Sequence, residues 1–264
     1  MLPYINLFPN YGTARQYETP DYETYLDEYV RICQPDYLSY DHYALNENLV
    51  LSGDGFYGNL ETVRATALQH GIPFWNIVIG CHFSDGMAYP GPAMYNIQIY
   101  STLAYGGRGV GYYTYYEYSW DWCNGSVCDT RAPVVNGRRT ESWDYMRDIN
   151  MQIHALAPVY CTLKSVNVFH TGRIPVSARG IASSVYVRSA GDGDFLVGEF
   201  ADPDGTPYLL VVNRNLKQSV PVNLSLKEGG KLMRVAPDGQ GLKPFEGIQA
   251  QLAPGAGALL KIED

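Results

Sequence analysis

The first 160 residues repeat one pattern four times: a short apolar segment, a long loop, and then a helical segment. The predicted strands are residues 1–9, 37–43, 73–80 and 109–115, and the predicted helices are residues 21–33, 59–70, 93–105 and 140–156. Strands that are apolar throughout, rather than alternating, are typical of parallel sheets covered on both faces. Long loops after the strands and short returns before them predict part of a (β/α) barrel, with about four βα units.

The sequence changes character after about residue 163. Short β-rich runs now follow one another closely, separated by turn sequences such as DGD, DPDG and EGG. This spacing predicts an all-β antiparallel sandwich. We therefore predict two domains, a partial barrel over residues 1–160 and a β-sandwich over residues 161–264.

Charge and composition exclude several classes of partner. The net charge is −8 and the lysines and arginines are scattered, so a nucleic-acid partner is not expected. No apolar run approaches membrane-spanning length, and no signal peptide is expected before Tyr4. No phosphate-binding glycine loop follows a strand and no cluster of metal ligands occurs, so we expect neither a metal nor an organic cofactor.

Five cysteines do not describe a disulfide framework in a chain of 264 residues. Cys123 and Cys128 are the exception, since the four residues between them can form a turn. A bridge there would indicate an extracytoplasmic protein, whereas two free thiols are equally compatible with the spacing.

Seven segments of the sequence are distinctive as a set. They are LPYINLFPNYG, PDYLSYDHYAL, NLETVRATALQHGIPFW, YSTLAYGGRGVGYYTYY, YLLVVNRN, PFEG and LAPGAGALLKIED. Together they resemble the second half of bacterial β-galactosidase-like glycoside hydrolases. The resemblance implies a catalytic (β/α)8 barrel followed by a β-sandwich, of which this sequence supplies four strands. It also implies a secreted or periplasmic full-length parent.

The same resemblance places the acid/base residue at a strand end before Leu2, and no such motif is present. It places the nucleophile after the strand at residues 73–80, which ends without a carboxylate. We therefore expect an incomplete hydrolase: a truncated gene product, a fragment, or a half barrel that is completed by self-association or by a partner chain.

Glycoside hydrolysis usually requires two carboxyl groups, one protonating the leaving oxygen and one attacking or activating water. The strand-end candidates for catalysis are Asp41 and Glu117, with Asp121 as a weaker third. Asp41 is equally compatible with a contact to a sugar hydroxyl or with capping of loop backbone, and Glu117 with a solvated loop charge. Asp41 and His42 are adjacent, so they cannot both face inward along an extended strand.

Aromatic side chains supply the predicted substrate surface, because the C–H faces of sugars pack on aromatic planes. The chain has 23 tyrosines, most of them before residue 118. The predicted carbohydrate-binding residues are Tyr40, His42, Trp75, Asn76, Tyr115, Trp120, Asp121 and Trp122. Core packing is the alternative for the tryptophans, and ordinary structural hydrogen bonding is the alternative for Asn76.

Three functions remain open on the sequence. The first is a glycoside hydrolase acting on the O-glycosidic bonds of a glycan. The second is a non-catalytic carbohydrate-binding protein, which the absent acid/base residue favours. The third is a structural or interaction module built on the sandwich. An open half barrel would expose strand edges and an apolar face, which predicts self-association for the first and third functions.

Overall fold

The computed structural model describes residues 4–49, 51, 55–82, 86–117 and 130–263. Its helices are α1 Ala14–Tyr17, α2 Tyr22–Cys33, α3 Gly55–His70, α4 Pro92–Ala104 and α5 Glu141–Tyr160. Its strands are β1 Leu38–Asp41, β2 Phe74–Ile79, β3 Gly109–Tyr113, β4 Val134–Val135, β5 Arg138–Arg139, β6 Lys164–His170, β7 Val187–Ala190, β8 Phe195–Ala201, β9 Pro207–Asn213, β10 Val220–Pro221, β11 Leu224–Leu226, β12 Lys231–Val235, β13 Leu242–Pro244, β14 Gln251–Leu252 and β15 Gly257–Glu263.

A parallel sheet is formed by β1, β2 and β3, in that order. Its three strands lie within the predicted segments 37–43, 73–80 and 109–115, so the parallel sheet is confirmed. The described part of the segment at residues 1–9 joins the sheet only through Leu7, which bridges Tyr40. Pro9 closes the segment, and a proline has no N–H with which to extend a strand ladder.

The helices between these strands begin and end at recognisable residues. Asp21, rather than Thr19, caps α2, because its carboxylate accepts a hydrogen bond from the Thr24 N–H at 2.8 Å. Gly71 follows α3 with a φ of 68°, the left-handed conformation that the sequence predicts there. The helices therefore lie where the periodic pattern places them, with ends shifted by a few residues.

The second half of the chain forms a larger antiparallel sheet of six strands, ordered β13-β12-β15-β9-β8-β6. Residues along its strands alternate between two hydrophobic clusters. Leu196, Leu210 and Leu259 face the cluster that also contains the helices, whereas Phe195 and Leu209 face a second cluster. Residues of the two-stranded ribbons β7-β11 and β10-β14 complete the second cluster on that outer face.

Helix α4 lies between the two sheets and is buried over ten of its thirteen residues. It faces the parallel sheet through Gln98. The Gln98 side-chain oxygen accepts a hydrogen bond from the Ile79 N–H, and the Gln98 amide nitrogen donates to the Ile79 carbonyl. It faces the antiparallel sheet at Gly198, where a Cβ would lie 2.1 Å from the Ala104 carbonyl oxygen. A helix that is apolar on all sides is typical of a central position. The two predicted domains therefore share one core.

The described residues contain no helix long and apolar enough to span a membrane.

Candidate functional site

The carboxyl edge of the parallel sheet presents one carboxylate on its open face. Asp41 ends β1 and pairs with Ile77 of β2, which in turn pairs with Gly111 of β3. Side chains alternate along a strand, so Tyr113 lies on the same face two residues beyond Gly111. The Asp41 carboxylate accepts a hydrogen bond from the Asn6 amide at 2.6 Å. This edge is where parallel α/β proteins carry their functional groups.

Three tyrosines surround this carboxylate, and we call them together with Asp41 the Asp41 cluster. They are Tyr11, Tyr43 and Tyr113. The rings of Tyr43 and Tyr113 stack with centroids 5.7 Å apart, and Tyr11 is 62% exposed. Burial raises the pKa of all three phenols, and the negative charge of Asp41 raises each pKa further. The three hydroxyls therefore stay protonated at neutral pH, and the Tyr43 hydroxyl hydrogen-bonds the Asp41 carboxylate itself.

His42 turns away from Asp41, as the strand alternation predicts. Its Nδ1 lies 3.1 Å from the Asn59 side-chain oxygen of α3, an acceptor, so Nδ1 carries the proton. Burial lowers the pKa of His42, against the opposing effects of Asn59 and Asp41, and the ring is neutral at pH 7. The same Asn59 amide binds the Asn10 N–H and the Tyr22 hydroxyl. His42 thus belongs to a buried polar network, and this network attaches the loop that precedes α1 to helix α3.

Tyr40 and Asn76 lie on the opposite face of the sheet from Asp41. Tyr40 is 1% exposed, and the Asn76 amide donates to the Thr102 hydroxyl of α4 at 2.8 Å. Neither side chain contributes to the open face.

Trp75 lies on the open face but toward the amino end of β2. Its ring stacks on Tyr37 with centroids 4.5 Å apart and covers Gly109, whose Cβ position would be 2.5 Å from the indole. Trp75 remains 39% exposed. The structure therefore separates this aromatic pair from the carboxyl edge.

Glu117 is held by a β-hairpin rather than by the Asp41 cluster. Its backbone pairs with Val134 of β4, and its Oε1 accepts a hydrogen bond from the Asn136 N–H at 2.6 Å in the β4–β5 turn. Among the described residues, its buried Oε2 has no hydrogen-bond partner. β2 lies between β1, which ends at Asp41, and β3, which ends four residues before Glu117, so these two strands are about 10 Å apart, two strand spacings.

A second aromatic surface lies beyond β3, around the predicted carbohydrate-binding residue Tyr115, and the sequence analysis missed its other members, Trp143 and Arg139. The Trp143 indole N–H of α5 donates to the Tyr115 hydroxyl at 3.1 Å, and the Arg139 guanidinium lies 3.9 Å from the Trp143 ring centroid. Tyr115 is 42% exposed. The sequence carried one signal for this surface, a tryptophan in the first turn of the helix that follows the loop after β3.

The sequence analysis also missed the tyrosines of the Asp41 cluster. Tyr43 lies two residues beyond the end of β1, and Tyr113 is the last residue of β3, which was the available signal. Trp120, Asp121 and Trp122, together with Cys123 and Cys128, lie outside the described residues. Within the described ranges, Cys33, Cys81 and Cys161 form no disulfide, and no group of three or more potential metal-ligating side chains occurs.

No protein-family model and no curated protein matches this sequence. Among solved structures, the chain is similar to a GH27 β-L-arabinopyranosidase from Geobacillus stearothermophilus, with 12% identity and a TM-score of 0.26 over 92% of this chain and 61% of that one. A variant of that enzyme in complex with arabinose gives 13% identity and a TM-score of 0.28 over 92% of this chain and 62% of that one. The chain is also similar to an endo-β-1,4-mannanase from Thermotoga petrophila, with 12% identity and a TM-score of 0.32 over 85% of this chain and 54% of that one.

These neighbours are glycoside hydrolases by name, and the chain spans about three fifths of the length of the arabinopyranosidase. Identities and TM-scores this low do not support a conclusion about the activity of this chain. The finer resemblance to β-galactosidase-like enzymes is not confirmed by these comparisons. What the structure shows is a mixed α/β protein with a parallel sheet and a larger antiparallel sheet.

Proposed function

We propose that this chain binds carbohydrate at the Asp41 cluster. The observation that carries the proposal is a carboxylate at the carboxyl edge of a parallel sheet, next to three protonated tyrosines. The carboxylate accepts hydrogen bonds from sugar hydroxyls, and the exposed Tyr11 hydroxyl donates to a sugar oxygen. The exposed face of Tyr11 and the stacked pair Tyr43 and Tyr113 offer aromatic planes to the C–H faces of a sugar ring.

A second candidate is hydrolysis of a glycosidic bond, which one observation favours. Glu117 keeps a buried carboxylate oxygen without a partner among the described residues, and a free carboxylate oxygen is what a general acid or base requires. The anchoring of its other oxygen in the hairpin argues for the binding function instead. We therefore place carbohydrate binding first and retain the barrel-and-sandwich glycoside hydrolase as the wider proposal.

Binding is tested by titrating a panel of neutral mono- and oligosaccharides into the chain and into its Asp41→Asn variant. We expect the variant to bind at least about tenfold more weakly, because a hydrogen bond to a charged group contributes about 1.5–3 kcal/mol. Asp238→Asn is the matched control, since Asp238 pairs with Lys243 in the antiparallel half of the chain. Equal affinities for the wild type and the Asp41 variant would contradict the proposed site.

Hydrolysis is tested on aryl α- and β-glycosides with the wild type and Glu117→Gln. If Glu117 is the general acid or base, we expect the substitution to lower kcat by about 10²–10⁴-fold. The glutamine retains an oxygen that can accept from the Asn136 N–H, so the hairpin is preserved. A folded wild type that releases no phenol from any substrate would exclude this second function on these substrates and leave the binding proposal standing.

A further inference from the structure

A separate cavity of about 340 Å³ lies between the start of α3 and the loops at one end of the antiparallel sheet. Tyr57 of α3 lines one side, and Arg173, Asp194, Arg214 and Lys217 line the other. Its volume is at the lower end of the range of small-molecule sites in proteins, about 300–1,000 Å³. The Asp41 cluster contributes no residue to this cavity.

The cavity is cationic although the chain carries a net charge of −8. Three basic residues and one acid line it, which leaves an excess of two positive charges. In the part of the chain that the structure describes, none of Arg173, Arg214 and Lys217 forms an ion pair. The carboxylate of Asp194 is instead used by the loop backbone, where it accepts from the Arg173 N–H at 2.8 Å. The basic groups are therefore left without a counter-ion.

Arg214 is held in place by backbone carbonyls and by an aromatic ring. One of its terminal nitrogens donates to the Arg173 carbonyl at 2.6 Å, and its guanidinium lies 5.1 Å from the centroid of the Tyr57 ring. Its Nε is buried and has no hydrogen-bond partner among the described residues. A fixed guanidinium with an unused N–H donor is well suited to a planar oxyanion.

Tyr57 adds a second unused donor at the same place. The residue is 2% exposed, and burial raises the pKa of its hydroxyl while neighbouring Arg214 and Ser101 lower that pKa. No group among the described residues lies in hydrogen-bond geometry with the hydroxyl. Behind it, the His170 ring packs edge-on at 4.8 Å, and burial together with the charge of Arg214 lowers the pKa of His170 to about 3. His170 is thus neutral and adds no charge of its own. Buried donors without partners are costly, and a bound ligand would satisfy them.

We propose that this cavity binds the oxyanion group of a sugar-sized molecule, a carboxylate or a phosphate. Arg214 supplies charged N–H donors to the anion, and the Tyr57 hydroxyl donates to the same group. Arg173 and Lys217 contribute long-range attraction at the rim, whereas the backbone-bound Asp194 favours a ligand that also carries hydroxyl groups. This site is additional to the carbohydrate site at Asp41 and does not depend on it.

Calorimetric titration at low salt tests this site with glucuronate, glucose 6-phosphate and glucose as probes. We expect at least one of the two anionic probes to bind and glucose not to bind here. Binding of glucuronate alone identifies a carboxylate ligand, binding of glucose 6-phosphate alone identifies a phosphate ligand, and either result supports the proposal. Asp41→Asn should leave this binding unchanged, which separates the test from that of the proposed function.

Two variants locate the binding in the cavity. Arg214→Gln should weaken it by about tenfold or more, in line with the loss of a charged hydrogen bond. Tyr57→Phe should weaken it severalfold while leaving thermal stability unchanged or higher, because the hydroxyl has no partner to lose. The Tyr57 variant therefore carries the test even if Arg214→Gln fails to fold. Arg188→Gln, on exposed β7, is the matched control.

The proposal is overturned if neither anionic probe binds, or if glucose binds as tightly as both in the Asp41→Asn variant, where the separate carbohydrate site is weakened. Unchanged affinity in folded Arg214→Gln and in Tyr57→Phe would also overturn it, because any anion binding would then lie elsewhere on the protein.

Discussion

Replacing Glu199 with alanine is expected to lower the free energy of unfolding by about 4 kcal/mol or more. Glu199 lies on β8, is 0% exposed, and accepts hydrogen bonds from the side chains of Asn167 and Ser184 at 2.8 and 2.6 Å. It also accepts from the backbone N–H groups of Val185 and Tyr186. Alanine removes the acceptor that these four donors share, and each donor left buried and unsatisfied costs about 1–3 kcal/mol.

Equilibrium unfolding in urea measures the effect of this substitution. Glu199→Gln keeps the side-chain volume and one acceptor oxygen, but its NH2 group faces some of the same donors. We therefore expect it to lower the free energy of unfolding by about half as much as Glu199→Ala. Glu228→Ala, at an exposed position, should change the free energy of unfolding by less than about 0.5 kcal/mol. A loss below about 1 kcal/mol for Glu199→Ala would mean that water replaces the carboxylate, and would contradict this account of how β8 holds the segment before β7.

The second large effect is expected for Gly198→Ala, also on β8. A Cβ at this position would lie 2.1 Å from the backbone oxygen of Ala104, at the end of α4, and that carbonyl cannot rotate away as a flexible side chain would. The helix must move off the sheet, and we expect a loss of about 3 kcal/mol in the free energy of unfolding. Thermal unfolding followed by circular dichroism measures it.

Gly91→Ala provides the control for this substitution. Gly91 precedes α4 with an extended φ of −168°, and no neighbouring atom lies within 4 Å of its Cβ position. An alanine there should cost less than about 1 kcal/mol. If Gly198→Ala lowered the free energy of unfolding by no more than Gly91→Ala does, the result would contradict the close packing of α4 on the antiparallel sheet.

Local patterns predicted the elements of this fold well. Continuous apolar runs located the three strands of the parallel sheet, and the strand period of two predicted that Asp41 and His42 would face opposite ways. Gly71 marked the end of α3, because only a residue without a Cβ adopts a left-handed conformation freely. These features depend on backbone geometry within a few residues, which is why the sequence contains them.

The candidate site was predicted less completely. Asp41 was identified by its position at a strand end, and so was Glu117, yet only contacts across the fold separate their roles. The hairpin turn at Asn136 binds Glu117, whereas Tyr11 and Tyr113 come to Asp41 from other segments of the chain. Tyr40 and Asn76 were expected to contact substrate but lie on the helix-facing side of the sheet, and a continuously apolar strand does not show which face is open.

The sequence by itself determined the parallel and antiparallel halves, the positions of the helices, and Asp41 as the carboxylate that ends β1. Only the tertiary structure decided that α4 is shared by both sheets, that Glu199 is buried among four donors, and that Arg214 meets Tyr57 in a cationic cavity. The reason is physical. Secondary structure follows from the period of apolar residues along the chain, whereas burial and charge pairing depend on groups brought together from distant segments.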